Sequence, residues 1–214
     1  MLPVGEPKFR RRKADRPDEI VEAALQVFAA KGFAAARLDD IAARAGVSKG
    51  ALYLYFATKE EIFRAVVELA IAPNLKGVLA MVAAHPGPFA DLVAQFTARM
   101  AEVVENSPVG RVAKMVIGEA QNFPALAGVW HDELVAPALG AVAGAIAAAQ
   151  ARGEVRPGDP RAYALSLVGP MLLGAIWRET FVPVGAEPFD LSGLARQHAQ
   201  AILTGMLTNE SRAA

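Results

Sequence analysis

The chain of 214 residues predicts an all-α protein, with three short helices at its amino end followed by larger, more apolar ones. Three observations carry that expectation. Alanine dominates while β-branched and aromatic residues are sparse, a balance that favours helix over sheet. Apolar residues recur at helical rather than alternating spacing. Proline falls where helices begin: Pro86, Pro108, Pro124 and Pro160 each suit an early helical position, with Ser107 and Asp159 as caps. At 54% hydrophobic and 21% charged residues, the chain is globular rather than disordered.

Ile20, Ala24, Val27 and Phe28 share one face of the first helix, which stops at Lys31-Gly32, a cation in the last turn before a glycine. Leu38, Ile41, Ala42 and Ala45 stripe the second, with Asp39 and Asp40 in its first turn and Gly46 at its end. Ser48 caps the third, "KGALYLYF", which buries Leu52 and Phe56. Only "AGVS" separates the second from the third, and two short helices joined by a tight glycine turn make a helix-turn-helix. Small Ala42 lets the pair approach closely, and Val47 fills the angle between them. Thr58 and Glu61 form a T-x-x-E capping box opening a long fourth helix, which Pro73 should kink. Further helices are expected near 87–105, 109–121, 124–152, 160–181 and 189–208. The most apolar runs, residues 138–149 and 164–177, fall short of the roughly 20 residues that cross a bilayer, so they read as buried helices of a soluble protein. The amino end has no apolar stretch behind its charges and does not read as a secretory signal.

Net charge is zero but unevenly spread. Residues 1–60 hold 11 Lys and Arg against 8 Asp and Glu, and between positions 8 and 16 Lys8, Arg10, Arg11, Arg12, Lys13 and Arg16 face Asp15 alone. A basic arm ahead of a folded domain fits a polyanion, or else a solubilising tail. The stretch "GVSKGALYLYFATKEEIF" places Lys49 and Lys59 at two neighbouring helix starts, where a cation is locally unfavourable unless an anion sits there too. The outward face of the third helix carries Lys49, Gly50, Tyr53 and Leu54. Gly50 costs roughly 1 kcal/mol of helix stability against alanine, yet permits close backbone approach to a partner. Spaced anions met by helix starts, lysines and phenols describe a DNA backbone.

These residues resemble the DNA-binding region of TetR-family transcriptional regulators over residues 17–65. "DDIAARAGVSKGALYLYF" followed by "TKEEIF" has the family's turn glycine, valine, serine, lysine-glycine, tyrosine-x-tyrosine-phenylalanine and lysine-glutamate in order. The resemblance implies a bacterial or archaeal homodimer whose third helices enter adjacent major grooves. It implies phosphate contacts from Tyr53, Tyr55 and Lys59, with Ser48, Lys49, Gly50 and Ala51 near the bases. One departure is "AR" at Ala36-Arg37, where members often carry threonine or serine; Arg37 stands in as a longer, charged phosphate contact.

The chain then divides into a flexible basic arm (1–16), the helix-turn-helix domain (17–65) and a helical effector-binding and dimerisation domain (66–214). The last two helices are the dimer candidates, through Gly169, Gly174, Ala175, Ala199 and Gly205 with Leu172, Ile202, Leu203 and Met206. Phe96, Met100, Met115, Phe123, Trp130, His131, Met171 and Trp177 are the candidate walls of a pocket for an apolar or amphipathic effector, or else ordinary core. Glu119 and Arg178 are solvated or paired with each other.

Catalysis finds little support. The absence of cysteine excludes disulfides and thiol chemistry; His85, His131 and His198 lack metal-ligand spacing; and no phosphate loop or dinucleotide fingerprint occurs. The expectation is a cytoplasmic, cofactor-free repressor, released from a palindromic operator by its effector. The alternatives are a ligand-dependent activator or co-repressed regulator, and a helical small-molecule binder or enzyme.

Overall fold

Helices form close to where the apolar spacing places them. The computed structural model describes residues 16–209 and 211; the basic arm lies outside them except Arg16, which opens α1 (Arg16–Ala35). The regular turns of α1 stop at Gly32, whose φ of 76° is open to glycine at little cost. α2 (Leu38–Ala45) ends at Gly46, φ 66°, and the Val47 N–H then reaches back to the Ala42 carbonyl at 3.0 Å. Ser48 Oγ accepts the Ala51 N–H at 3.1 Å to start α3, which closes at Tyr53, sooner than the sequence pattern had it (Lys49–Tyr53). Thr58 Oγ1 accepts the Glu61 N–H at 3.1 Å, while the Glu61 carboxylate reaches past the cap to the Ala57 N–H.

From Lys59 the chain runs as one helical stretch to Ala84: α4 (Lys59–Val66), a π-turn (Val67–Ile71) and α5 (Ala72–Ala84). Pro73 does not break it. Having no N–H, it cannot bond the Leu69 carbonyl, and the preceding turn widens so that the Ala72 N–H bonds Val67. The same device recurs between α8 (Pro124–Trp130) and α9 (Ala136–Ala151), where the π-turn His131–Val135 precedes Pro137 and the Ala136 N–H bonds His131. α6 (Phe89–Asn106), α7 (Val109–Glu119), α10 (Pro160–Thr180) and α11 (Leu191–Met206) complete the order.

The apolar runs lie within longer helices than they themselves suggest. Lys59–Ala84, Pro124–Ala151 and Pro160–Val184 span 26, 28 and 25 residues, and the 18-residue windows within them reach mean hydropathy 1.6, 1.7 and 1.2, which by length and composition is enough to cross a membrane. Run length by itself therefore does not exclude a span, because helical continuity carries through the polar residues that interrupt the runs.

The first core joins α1 to α4 around Phe28, Phe33 and Phe63, whose ring centroids stand 5.3–6.4 Å apart. It also takes in Val112 and Val116 of α7 and Leu126 and Val129 of α8. A boundary near residue 65 thus falls inside a continuous helical stretch and across a shared core. The second core gathers α5, α6, α9, α10 and α11 around Phe89, Phe96, Ile146, Leu167 and Met206.

Glu154 pins this second layer: one carboxylate oxygen accepts the Phe89 N–H at 2.6 Å and the other takes Arg152 Nε at 2.5 Å. Burial pushes its carboxyl up, but those two bonds and the charges of Arg152 and His85 outweigh burial and hold it below the ordinary range. A depressed pKa stabilises the fold above the unfolded value and is lost as pH falls through the folded one. Glu154→Gln is accordingly expected to lower the melting temperature by about 2–4 °C at pH 7, with the gap closing below about pH 4. Thermal melts of both proteins across pH 3–7 check it.

Candidate nucleic-acid interface and inner cavity

The helix-turn-helix brings its cations to one face. Lys49 Nζ lies 2.9 Å from Asp39, and Arg37, its side chain 77% exposed, reaches the other oxygen of Asp39 at 3.8 Å. Asp39 thereby raises the Lys49 pKa, through a hydrogen bond first and charge second, and Tyr53 and Arg37 both stand near enough to act on Lys49 as well. Arg37, Lys49 and Tyr53 form one cluster, with Asp39 as the partner that the sequence pattern did not reveal. The Arg37 N–H is satisfied by Asp40 Oδ2 at 3.3 Å, the reciprocal half of a capping box whose hydroxyl half is missing at position 37. Asp40 is in turn held below the usual carboxylate range, chiefly by its hydrogen bond from Lys31 at 2.8 Å.

On α3, Ser48, Lys49 and Gly50 are exposed, Tyr53 is 47% and Leu54 81% exposed, and a Cβ built on Gly50 would meet nothing within 4 Å. Ala51 is half-buried, and Tyr55 packs partly against the first core. Lys59 is placed differently from a backbone contact. Its ammonium turns inward and donates to the carbonyls of Phe33, Ala34 and Ala36 at 2.6, 3.2 and 3.1 Å. It also lies 4.4 Å from the Phe33 ring centroid. The carbonyls of Phe33 and Ala34 in the last turn of α1, and of Ala36 just past it, supply the negative end that this cation answers.

The same corner ties the two halves together. Phe123 meets Phe33 edge to face at 5.0 Å, Glu119 Oε1 accepts the Ala34 N–H at 3.1 Å, and Arg64 meets Glu133 at 3.2 Å. Glu119 is therefore not a partner of Arg178, which binds Glu179 at 2.7 Å and the Glu105 carbonyl.

A cavity of about 190 Å³ lies between α5, α6, α7, α9 and α10. Phe96, Met100 and Trp130 line it, together with aliphatic residues such as Ile71, Val78, Leu134, Val142 and Leu172. Apart from the Trp130 indole, Asn74 is the one polar side chain in that lining among the described residues. The other five candidate wall residues lie elsewhere. Met115 packs partly buried against the first core, and Phe123 sits at the junction with Phe33. His131, its side chain 65% exposed, bonds Asp132 at 2.7 Å. Met171 is buried between α6, α10 and α11. Trp177 packs at an angle against the Phe181 and Phe189 rings and donates to the Glu187 carbonyl. Large aromatics drew attention in the sequence, whereas the walls are mostly aliphatic, and no spacing rule separates such walls from core. No group of three or more His, Asp or Glu that could hold a metal occurs among the described residues.

Residues 20–66 match the model of bacterial regulatory proteins of the tetR family, and residues 87–188 that of the tetracyclin repressor-like C-terminal domain. The HTH-type transcriptional regulator YfiR of Bacillus subtilis, itself uncharacterized, is 39% identical over 71 residues, 33% of this chain and 35% of that protein. The match thus spans about a third of the curated relative's length. A protein from Mesorhizobium loti MAFF303099, described as a TetR-family transcriptional regulator, superposes with TM-score 0.74 at 23% identity, covering 93% of this chain and all of that one. The regulator FadR of Bacillus subtilis, solved in complex with stearoyl-CoA, gives TM-score 0.71 at 18% identity over 88% and 98% of the two chains. At these identities the structural likeness is one of fold. With one family's models matching both halves and a helix-turn-helix that exposes α3, the chain belongs to the TetR family of helix-turn-helix transcriptional regulators.

Proposed function

We propose that this regulator is a cytoplasmic, ligand-responsive repressor that binds a palindromic operator as a homodimer and is released by a small apolar or amphipathic effector. The observation that carries the reading is the cavity's position. Ile71 in its wall belongs to the helical stretch that begins at Lys59, and Leu134 belongs to the π-turn whose Glu133 pairs with Arg64 of α4. A ligand that moves either wall moves α4. In the dimer, two α3 helices sit about 34 Å apart, one turn of DNA. An effector that prefers a different α4 position shifts that separation, and it acts only through this difference in affinity. The α10 surface supports the dimer: Leu165, Gly169, Leu172 and Leu173 follow i, i+4, i+7, i+8 spacing, and the three leucines are exposed. Gly174, Ala175, Ala199 and Met206, by contrast, are buried within the monomer.

Fluorescence anisotropy on an operator selected from random duplex tests the reading. Specific affinity should fall steeply with salt. Tyr53→Phe should weaken all sequences alike, while Lys49→Ala or Gly50→Ala should change the preferred sequence, a wrong base costing about 1–3 kcal/mol. Equal losses at all three positions would remove the division between phosphate and base contacts. Operator affinity indifferent to every bound effector would remove ligand control.

A further inference from the structure

A second cavity, about 310 Å³, opens beyond the first and is lined by Val82, His85, Phe89, Ala145, Ala148 and Arg152, among others. The two share three helices on consecutive turns. On α5, Val78 and Leu79 face the inner cavity and Val82 and Ala83 the outer. On α9, Ala138, Leu139 and Val142 face the inner, and Ala141, Ala145 and Ala148 the outer; on α6, Phe96 is inner and Leu92 outer. Phe96 and Val142 wall the inner cavity and Val82 and Leu92 the outer, and all four are buried, so a tail reaching from one to the other parts them. From Ala138 to Arg152 the track follows α9 for about 21 Å. Its inner end is apolar and its outer end carries His85 and Arg152.

The guanidinium is prepared for an anion. Arg152 spends its Nε on Glu154, whose other oxygen is fixed by the Phe89 N–H. Its two terminal nitrogens make no hydrogen bond to a described residue, and the side chain is 52% exposed. A guanidinium has two forked edges, so one can be held while the other receives a second carboxylate or phosphate. His85 Nε2 lies 3.2 Å from the Pro88 carbonyl at the same mouth. Glu154 offsets part of the charge, and Asp91 stands at the same mouth, a Cβ built on Gly87 meeting both His85 Nε2 at 3.1 Å and Asp91 Oδ2 at 3.8 Å. With Glu154 already bonded through both oxygens, the unclaimed donors at the mouth are those of Arg152.

We propose that the effector is a single-chain amphiphile with an anionic head, its tail running through the outer cavity into the inner one and its head on the terminal nitrogens of Arg152. The proposal rests on the inner cavity being the effector site, as inferred above, and assigns the chemistry of what enters it. An apolar tail gains from leaving water along the track, while the head keeps its charge at the open end. Glu154 positions Arg152 and does not itself touch the ligand.

Isothermal titration calorimetry on the full chain follows the binding directly. Dodecanoate, 1-dodecanol and hexanoate are titrated into this protein below their micelle concentrations, without DNA. Dodecanoate is expected to bind about tenfold or more tightly than hexanoate, whose tail ends within the outer cavity. Arg152→Ala should weaken dodecanoate about tenfold or more and leave dodecanol as it was, and Arg152→Lys should restore part of the loss. Equal dodecanoate binding by wild type and Arg152→Ala would overturn the assignment, as would dodecanoate that binds no more tightly than hexanoate. Operator release serves as a separate readout. Arg152-dependent binding without release keeps the amphiphile site and overturns ligand control; release by an effector indifferent to Arg152 does the reverse.

Discussion

Lys59→Met is expected to destabilise the protein by about 2–3 kcal/mol, the scale of charge-assisted hydrogen bonds lost from partly buried carbonyls. In a chain of this size that lowers the melting temperature by roughly 5–10 °C. Methionine keeps an unbranched apolar stem but removes the ammonium, which the Phe33, Ala34 and Ala36 carbonyls share and which faces the Phe33 and Phe123 rings. The same change separates two roles for this residue. A lysine on a DNA phosphate contributes about one unit to the salt slope of binding and little to stability. A lysine capping α1 does the opposite: melting falls, while the salt slope of the folded fraction is unchanged. Calorimetry and salt-dependent anisotropy on one preparation decide between them. Unchanged melting with a reduced slope would return Lys59 to the DNA.

Leu173→Glu should turn a dimer into monomers and weaken operator binding by roughly 10²–10⁴, the avidity lost when two half-sites are no longer engaged together. Leu173 is 63% exposed on α10 and does not line the inner cavity, so the folded chain has no use for it that glutamate would spoil. In a two-fold interface each substitution occurs twice, bringing two desolvated carboxylates onto an apolar stripe with Leu165 and Leu172. Light scattering after size-exclusion chromatography reads the state of assembly, and circular dichroism confirms the helices. A wild type that elutes as a single chain, or a variant still dimeric, would place the interface elsewhere.

Leu172 and Leu165 belong both to that stripe and to the cavity wall. A second copy on α10 would therefore cover one side of the cavity, so effector affinity should depend on assembly in the same titration.

Sequence alone determined the helical class, the glycine-cornered turn at Gly46, the caps at Ser48, Thr58 and Asp159, and the outward set on α3. Each depends on residues a few positions apart, where backbone geometry converts spacing directly into a face or a hydrogen bond. Only the tertiary structure decided where Lys59 points, which carboxylate meets Lys49, that Phe123 belongs to the domain junction, and that the cavity is mostly aliphatic. Those outcomes join residues from distant parts of the chain. Glu119 meets Ala34 across 85 positions, and Phe89 meets Glu154 across 65. Helical periodicity says which side of a helix is apolar; which neighbour covers that side, and where the covering leaves a gap, is settled by how all the helices pack at once.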